Sequence, residues 1–124
     1  RISLARSAMG RAYLAAVPED ERHELLDDLK QHYDTDLWPS LLAGIEDARA
    51  QIAERGFYAN YGEWRPGVHS IAVPFQSQQS NAPLLAFNLG GPSNFLPKEK
   101  MEGDFGPRLV ELAETLSQRA ISFT

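Results

Sequence analysis

Residues 55–74 read RGFYANYGEWRPGVHSIAVP and predict a helix end, a strand, a turn and a second strand. Gly56 should end the helix, because a glycine after the last helical residue adopts the left-handed conformation without a clash. Residues 57–61 are rich in aromatic side chains and predict the first strand, and residues 65–67 (Arg-Pro-Gly) supply turn chemistry. Residues 68–75 then alternate with a period of two, which predicts a second strand. Its two faces carry Val68, Ser70, Ala72 and Pro74 on one side and His69, Ile71, Val73 and Phe75 on the other.

Segments before and after this hairpin show helical periodicity. Segments 4–17, 18–33 and 40–55 predict three helices, the first capped by Ser3 and ended by Pro18. Segment 76–83 is polar and predicts an exposed connection, whereas segment 84–89 predicts a third strand that is too apolar for a sheet edge. Segment 98–119 predicts a final helical region that breaks near Pro107. Its expected buried line is Leu109, Leu112, Leu116 and Ala120.

This mixture predicts an α+β fold, an antiparallel sheet flanked by helices. Three strands with one helical layer leave apolar faces for which the chain offers few partners. We therefore expect an incomplete copy of its domain, with the amino end missing.

Composition limits the class of protein. With 124 residues and 43% hydrophobic content, the chain forms one domain, residues 1–124. A net charge of −5 argues against direct binding of nucleic acid, which requires clustered Lys and Arg. There is no cysteine, no apolar stretch near membrane-spanning length and no signal-peptide pattern, so we expect a cytoplasmic protein that does not enter the membrane.

A family resemblance rests on three ordered segments. The hairpin has an arginine-glycine-aromatic start, an Asn three residues later, a Glu three further on, then Gly-Val, Ser and an apolar-Ala-x-Pro end. These positions are Arg55, Gly56, Phe57, Asn60, Glu63, Gly67, Val68, Ser70, Ile71, Ala72 and Pro74. Segments SLARSAMGRAYLAAVPEDE (3–21) and FNLGGP (87–92) agree in order and spacing. The chain resembles the effector-binding domain of the IclR family of bacterial transcriptional regulators over essentially all of its length.

The resemblance implies a GAF-like fold that senses a small organic acid, aliphatic or aromatic, and controls DNA binding allosterically. DNA would be bound only by a separate amino-terminal winged helix-turn-helix domain, which this sequence lacks together with two or three strands. A homodimer or homotetramer is implied as well. Carried over by position, the effector-binding residues are Ala8, Met9, Asn60, Val68, Ser70, Asn88 and Gly90. Such a pocket binds an acid through backbone N–H groups and neutral donors, between apolar walls.

Each polar candidate has a structural alternative. Ser70 could be a core hydroxyl bonded to a neighbouring carbonyl group. Asn60 could end its strand with an Asx-turn. Glu63 is expected to be a turn acceptor or the partner of an arginine on the surface.

Catalytic and metal-binding patterns are weak. His23 with Asp27, and Asp28 with His32, have helical i, i+4 spacing, but the two pairs point in different directions and favour a surface charge network. His69 and Ser70 are adjacent on a strand and face opposite ways, so they predict no nucleophile and base. We expect no enzyme, no cofactor and no metal. A GAF-like sensor for another small molecule and a small enzyme remain the alternatives.

Overall fold

The computed structural model describes residues 3–76 and 82–119. Three helices come first, α1 (Ala8–Ala16), α2 (Glu19–Lys30) and α3 (Trp38–Arg55). Strands β1 (Tyr58–Tyr61), β2 (Val68–Gln76) and β3 (Leu84–Pro92) follow. The chain continues through α4 (Lys98–Lys100) and a π-helical turn (Met101–Phe105) into α5 (Gly106–Arg119). The predicted α+β class is confirmed.

The hairpin predicted from residues 55–74 is present. Gly56 ends α3 with a φ of 86°, and Gly67 precedes β2 with a φ of 79°, both in the left-handed region that favours glycine. Strand β1 pairs with β2 in antiparallel register, with Asn60 opposite Ser70. The turn residues therefore place the two strands as the sequence predicts.

The sheet has helices on both faces, and not a single helical layer as expected. Ala72 on one face of β2 packs with Ala8 and Ala12 of α1. Ile71 and Val73 on the other face pack with Met101 of the π-helical turn and Ala113 of α5. The alternation predicted for β2 is confirmed, because the central strand buries side chains on both faces.

The start of α1 differs from the prediction. The helix begins at Ala8, and Ser7 rather than Ser3 caps it by accepting a hydrogen bond from the Gly10 backbone N–H at 3.0 Å. The segment before it folds back against the helix, so that a Cβ on Gly10 would lie 2.5 Å from the Leu4 Cα. Gly10 is thus required by a close approach of two backbone segments.

Strand β3 lies at an edge of the described sheet, whose order is β1-β2-β3. The expectation that it was too apolar for an edge is wrong. Leu85 is 49% exposed and Leu89 37% exposed, since no further described strand or helix covers them. The connection predicted at 76–83 overlaps residues 77–81, which lie outside the described residues.

The buried line predicted for the last helix is wrong in part. Leu109 packs against the core, but Leu112 and Leu116 are exposed, and Ala113 with Val110 faces the sheet instead. Ala120 lies outside the described residues. Both faces lie within the regular helix α5, so the buried stripe is rotated by about one position, from Leu112 to Ala113.

Candidate functional site

A cavity of about 440 Å³ lies between the start of α1, the β1–β2 connection and the adjoining face of β2 and β3. Its lining includes six of the seven predicted effector-binding residues: Ala8, Met9, Val68, Ser70, Asn88 and Gly90. These residues come from three elements that are far apart in sequence. The antiparallel register brings them together, because Ser70 lies opposite Gly90, and Ala72 opposite Asn88.

Ser70 is one of two buried polar residues in the cavity lining, and the other is Ser7. The residue is only 6% exposed. No hydrogen bond is found for the Ser70 hydroxyl within residues 3–76 and 82–119. In that part of the chain, every side-chain N or O atom that is fully buried has a hydrogen-bond partner, so the Ser70 hydroxyl is not fully buried. The hydroxyl is therefore accessible from the cavity, which argues against the alternative of a core hydroxyl satisfied by a neighbouring carbonyl.

The start of α1 forms part of the cavity wall. The first N–H groups of a helix have no acceptor within the helix, and the helix dipole makes this end electropositive. Ser7 satisfies the N–H of Gly10, whereas Ala8 and Met9, the first two helical residues, line the cavity. The site thus places an electropositive backbone end near a neutral hydroxyl.

Asn60 does not line the cavity, although it shares the sheet face of Ser70. Its side-chain amide donates to the Arg6 carbonyl at 2.9 Å, and its Oδ1 accepts from the Glu63 backbone N–H at 3.0 Å. With 1% exposure it is sealed beneath the start of α1. Asn60 thus has the turn-forming role that was named as its structural alternative. It also binds the segment before α1 through Arg6.

A polar network centred on the buried Arg11 links α1 to β1 and to the β1–β2 connection beside the cavity. Arg11 on α1 is 1% exposed and donates to Tyr58 Oη at 2.7 Å and to Glu63 Oε1 at 2.8 Å. Gly44 of α3 makes room for it, because a Cβ there would lie 2.5 Å from the guanidinium carbon. Glu63 is an arginine partner, as one of its two predicted roles has it, but the arginine is buried and not at the surface.

The network also fixes protonation states. Burial opposes the charge of Arg11, but the hydrogen bond to Glu63 and the neighbouring Tyr58 leave its pKa above the ordinary value. Burial raises the pKa of Tyr58, and Arg11 offsets part of that rise. Arg11 is therefore a permanent cation and Tyr58 a neutral phenol at physiological pH.

The sequence prediction missed five lining residues: Ser7, Trp64, Gly67, Gly91 and Pro92. Trp64 was the one with a detectable signal, since it is a large apolar residue in a turn otherwise made of polar residues, glycine and proline. The missed residues and the predicted ones together give a lining without a charged side chain.

The catalytic and metal patterns do not form sites. His69 Nδ1 donates to the Leu96 carbonyl at 2.8 Å on the face opposite Ser70, as the alternation predicts. His32 Nδ1 donates to the Asp28 backbone carbonyl at 2.8 Å, and His23 Nε2 lies 3.7 Å from Glu19 Oε1. Among the described residues, no three His, Asp or Glu side chains come together in a metal-binding arrangement. No described helix is long and apolar enough to span a membrane.

Comparison with known proteins agrees with this architecture. Residues 1–118 match the family described as bacterial transcriptional regulator IclR, C-terminal. The HTH-type transcriptional regulator TsaQ1/TsaQ2 of Comamonas testosteroni is 27% identical over 113 residues, which are 91% of this chain and 40% of that protein.

Two solved structures show the same fold. An IclR family transcriptional regulator from Brucella abortus is 42% identical with a TM-score of 0.86, over 94% of this chain and 43% of that one. The inducer-binding domain of PobR from Acinetobacter, a double mutant in complex with 3-hydroxybenzoic acid, has a TM-score of 0.70 at 18% identity, over 95% of this chain and 69% of that one. The chain spans less than half the length of the Comamonas and Brucella relatives. It belongs to the IclR family of bacterial transcriptional regulators, as the carboxyl-terminal domain of that family.

Proposed function

We propose that this domain senses a small organic acid, aliphatic or aromatic, which binds in the cavity between α1 and the sheet. The observation that carries the proposal is the convergence of Ala8 and Met9, at the electropositive start of α1, with the accessible hydroxyl of Ser70. A carboxylate needs such donors, and a helix start provides them without a cationic side chain. Asn88 adds an amide donor from β3, and Val68 adds an apolar wall.

The effector would act allosterically on transcription. A ligand shifts an equilibrium between two quaternary arrangements only if it binds them with different affinity, so the acid must be held differently in each. DNA would be bound by a separate winged helix-turn-helix domain, because the net charge of −5 disfavours direct contact with phosphates. We propose a cytoplasmic homodimer or homotetramer, in keeping with the exposed apolar side chains of Leu85, Leu89 and Leu112.

The test is a thermal-shift and calorimetry screen against small aliphatic and aromatic carboxylates, with sugars, nucleotides and divalent metals for comparison. Acids should raise Tm, since binding to the folded state alone stabilises it. Ser70→Ala and Asn88→Ala should each weaken binding about fivefold, the effect of losing one hydrogen bond of about 1 kcal/mol.

Ser40→Ala and Asn94→Ala are matched controls, because both residues are exposed and neither lines the cavity. They should leave the affinity unchanged. Stabilisation by nucleotides or metals alone, or acid binding that is indifferent to both Ser70 and Asn88, would contradict the proposal.

A further inference from the structure

Trp64 forms a wall of the cavity that the predicted site did not include. It lies in the connection between β1 and β2, is partly exposed, and lines the cavity beside Gly67 and Val68. Among the eleven lining residues, all in the described part of the chain, it is the only one with an aromatic ring. An indole at a ligand cavity offers a large, rigid apolar surface.

The two residues that flank Trp64 in sequence, Glu63 and Arg65, both make defined contacts. The Arg65 guanidinium carbon lies 4.7 Å from the centroid of the Trp64 ring, a cation–π contact. Glu63, directly before it, is fixed by Arg11 at 2.8 Å and by Asn60 at 3.0 Å. The contacts of Glu63 therefore hold the turn next to Trp64, and Arg65 lies over the indole itself.

The size and the lining of the cavity leave room for a ligand body beside the Trp64 ring. Two of its lining residues are the glycines Gly67 and Gly90, and neither adds a side chain on the cavity side. The volume of about 440 Å³ lies within the range of small-molecule sites. A ring can stack on the indole and gain the aromatic contact, which a short aliphatic acid cannot do.

We propose that Trp64 determines the class of effector. Resting on the acid-sensing function proposed above, the inference is that the effector is a carboxylic acid with an aromatic ring or a similarly flat apolar body. The body packs against the Trp64 indole, and the carboxylate lies at the start of α1. Trp64 is then the residue that discriminates aromatic acids from short aliphatic ones.

The test compares benzoate and 3-hydroxybenzoate with butanoate and hexanoate on the full 124-residue chain. Calorimetry gives Kd for the unaltered chain and for Trp64→Ala, Trp64→Phe and Phe95→Ala. Phe95 is the matched control, because it is an aromatic residue that is 73% exposed and does not line the cavity. Trp38→Phe, in the cluster between α1 and α3, leaves Trp64 as the only tryptophan and makes its fluorescence a direct reporter.

Aromatic acids should bind at least about tenfold more tightly than aliphatic ones, and Trp64→Ala should remove about tenfold of that affinity. Trp64→Phe should retain part of it, Phe95→Ala all of it, and Trp64 emission should change on binding. If acids bind but Trp64→Ala leaves Kd for aromatic acids unchanged, the inference about Trp64 is wrong while acid sensing stands. If neither class of acid binds the unaltered chain, the proposed function fails, and this inference fails with it.

Discussion

Single residues in this domain are constrained by contacts that their local sequence does not reveal. Gly10 is the clearest case, since it lies inside α1, where glycine is unfavourable by about 1 kcal/mol relative to alanine. The Leu4 backbone approaches it so closely that a Cβ would lie 2.6 Å from the Leu4 carbonyl oxygen. The cost of the glycine is therefore offset by the packing of residues 3–7 against the helix that carries Ala8 and Met9.

Gly10→Ala should lower the free energy of unfolding by about 1 to 3 kcal/mol, because a backbone segment must move to admit the methyl group. Gly103→Ala is the matched control, as nothing lies within 4 Å of the position that its Cβ would occupy. That control should be neutral or stabilising by up to about 1 kcal/mol. Urea unfolding of both variants checks the pair, and equal effects of the two substitutions would contradict the packing argument.

At the scale of elements, packing against the sheet decides which residues of the last helical region are buried. Met101 of the π-helical turn is 0% exposed and packs with Phe57, Ile71 and Val73. Leu112 of α5 is 49% exposed, although a regular helix pattern predicted it to be buried. Hydrophobic periodicity favoured the leucines, but the side of α5 that is buried depends on how the helix packs against the sheet.

Met101→Ala should reduce the free energy of unfolding by about 2 to 5 kcal/mol, the usual cost of truncating a buried large side chain. Leu112→Ala should change it by less than about 0.5 kcal/mol, because much of the side chain is already in water. Chemical denaturation of both variants measures the difference. A larger loss of stability for Leu112→Ala than for Met101→Ala would contradict this assignment of the buried side chains.

At the scale of the whole molecule, one ion-pair group ties the helical layers to the sheet. Glu102 of the π-helical turn accepts from Tyr61 Oη of β1 at 2.7 Å and from Arg55 at the end of α3 at 3.1 Å. The Tyr61 hydrogen bond, and then Arg55, hold the pKa of Glu102 below its usual 4.5, against an opposing effect of burial. Burial and the hydrogen bond to Glu102 raise the pKa of Tyr61.

The sign of the pH dependence follows. A carboxyl group with a lowered pKa in the folded state stabilises the fold above its unfolded pKa, and that stabilisation is lost as pH falls through the folded value. Glu102→Gln should therefore be less stable than the unaltered chain at neutral pH and should lose less stability on acidification. Urea unfolding between about pH 3 and 7 measures this.

Glu111→Gln, an exposed position on α5, controls for the change in net charge. It should reproduce the acid dependence of the unaltered chain. A Glu102→Gln profile parallel to that of the control would show that the contact between the turn, β1 and α3 carries no pH-dependent stability.

The sequence by itself determined the features that depend on neighbouring residues. Gly56 and Gly67 fixed the helix end and the hairpin, and alternation in β2 assigned its two faces, because backbone conformation and side-chain period are local properties. The ordered motifs also predicted six residues that line one cavity. Their residue types and spacing are visible without a structure.

Only the tertiary structure decided what depends on distant segments. Asn60 does not line the cavity, and its side chain donates to the carbonyl of Arg6, 54 positions away. Glu63 accepts a hydrogen bond from Arg11, 52 positions away. The register of β2 and β3 placed Ser70 beside Gly90, and the β1–β2 connection brought Trp64 to the same cavity. The sheet order left β3 at an edge. Such contacts follow from how layers pack, which no local pattern encodes.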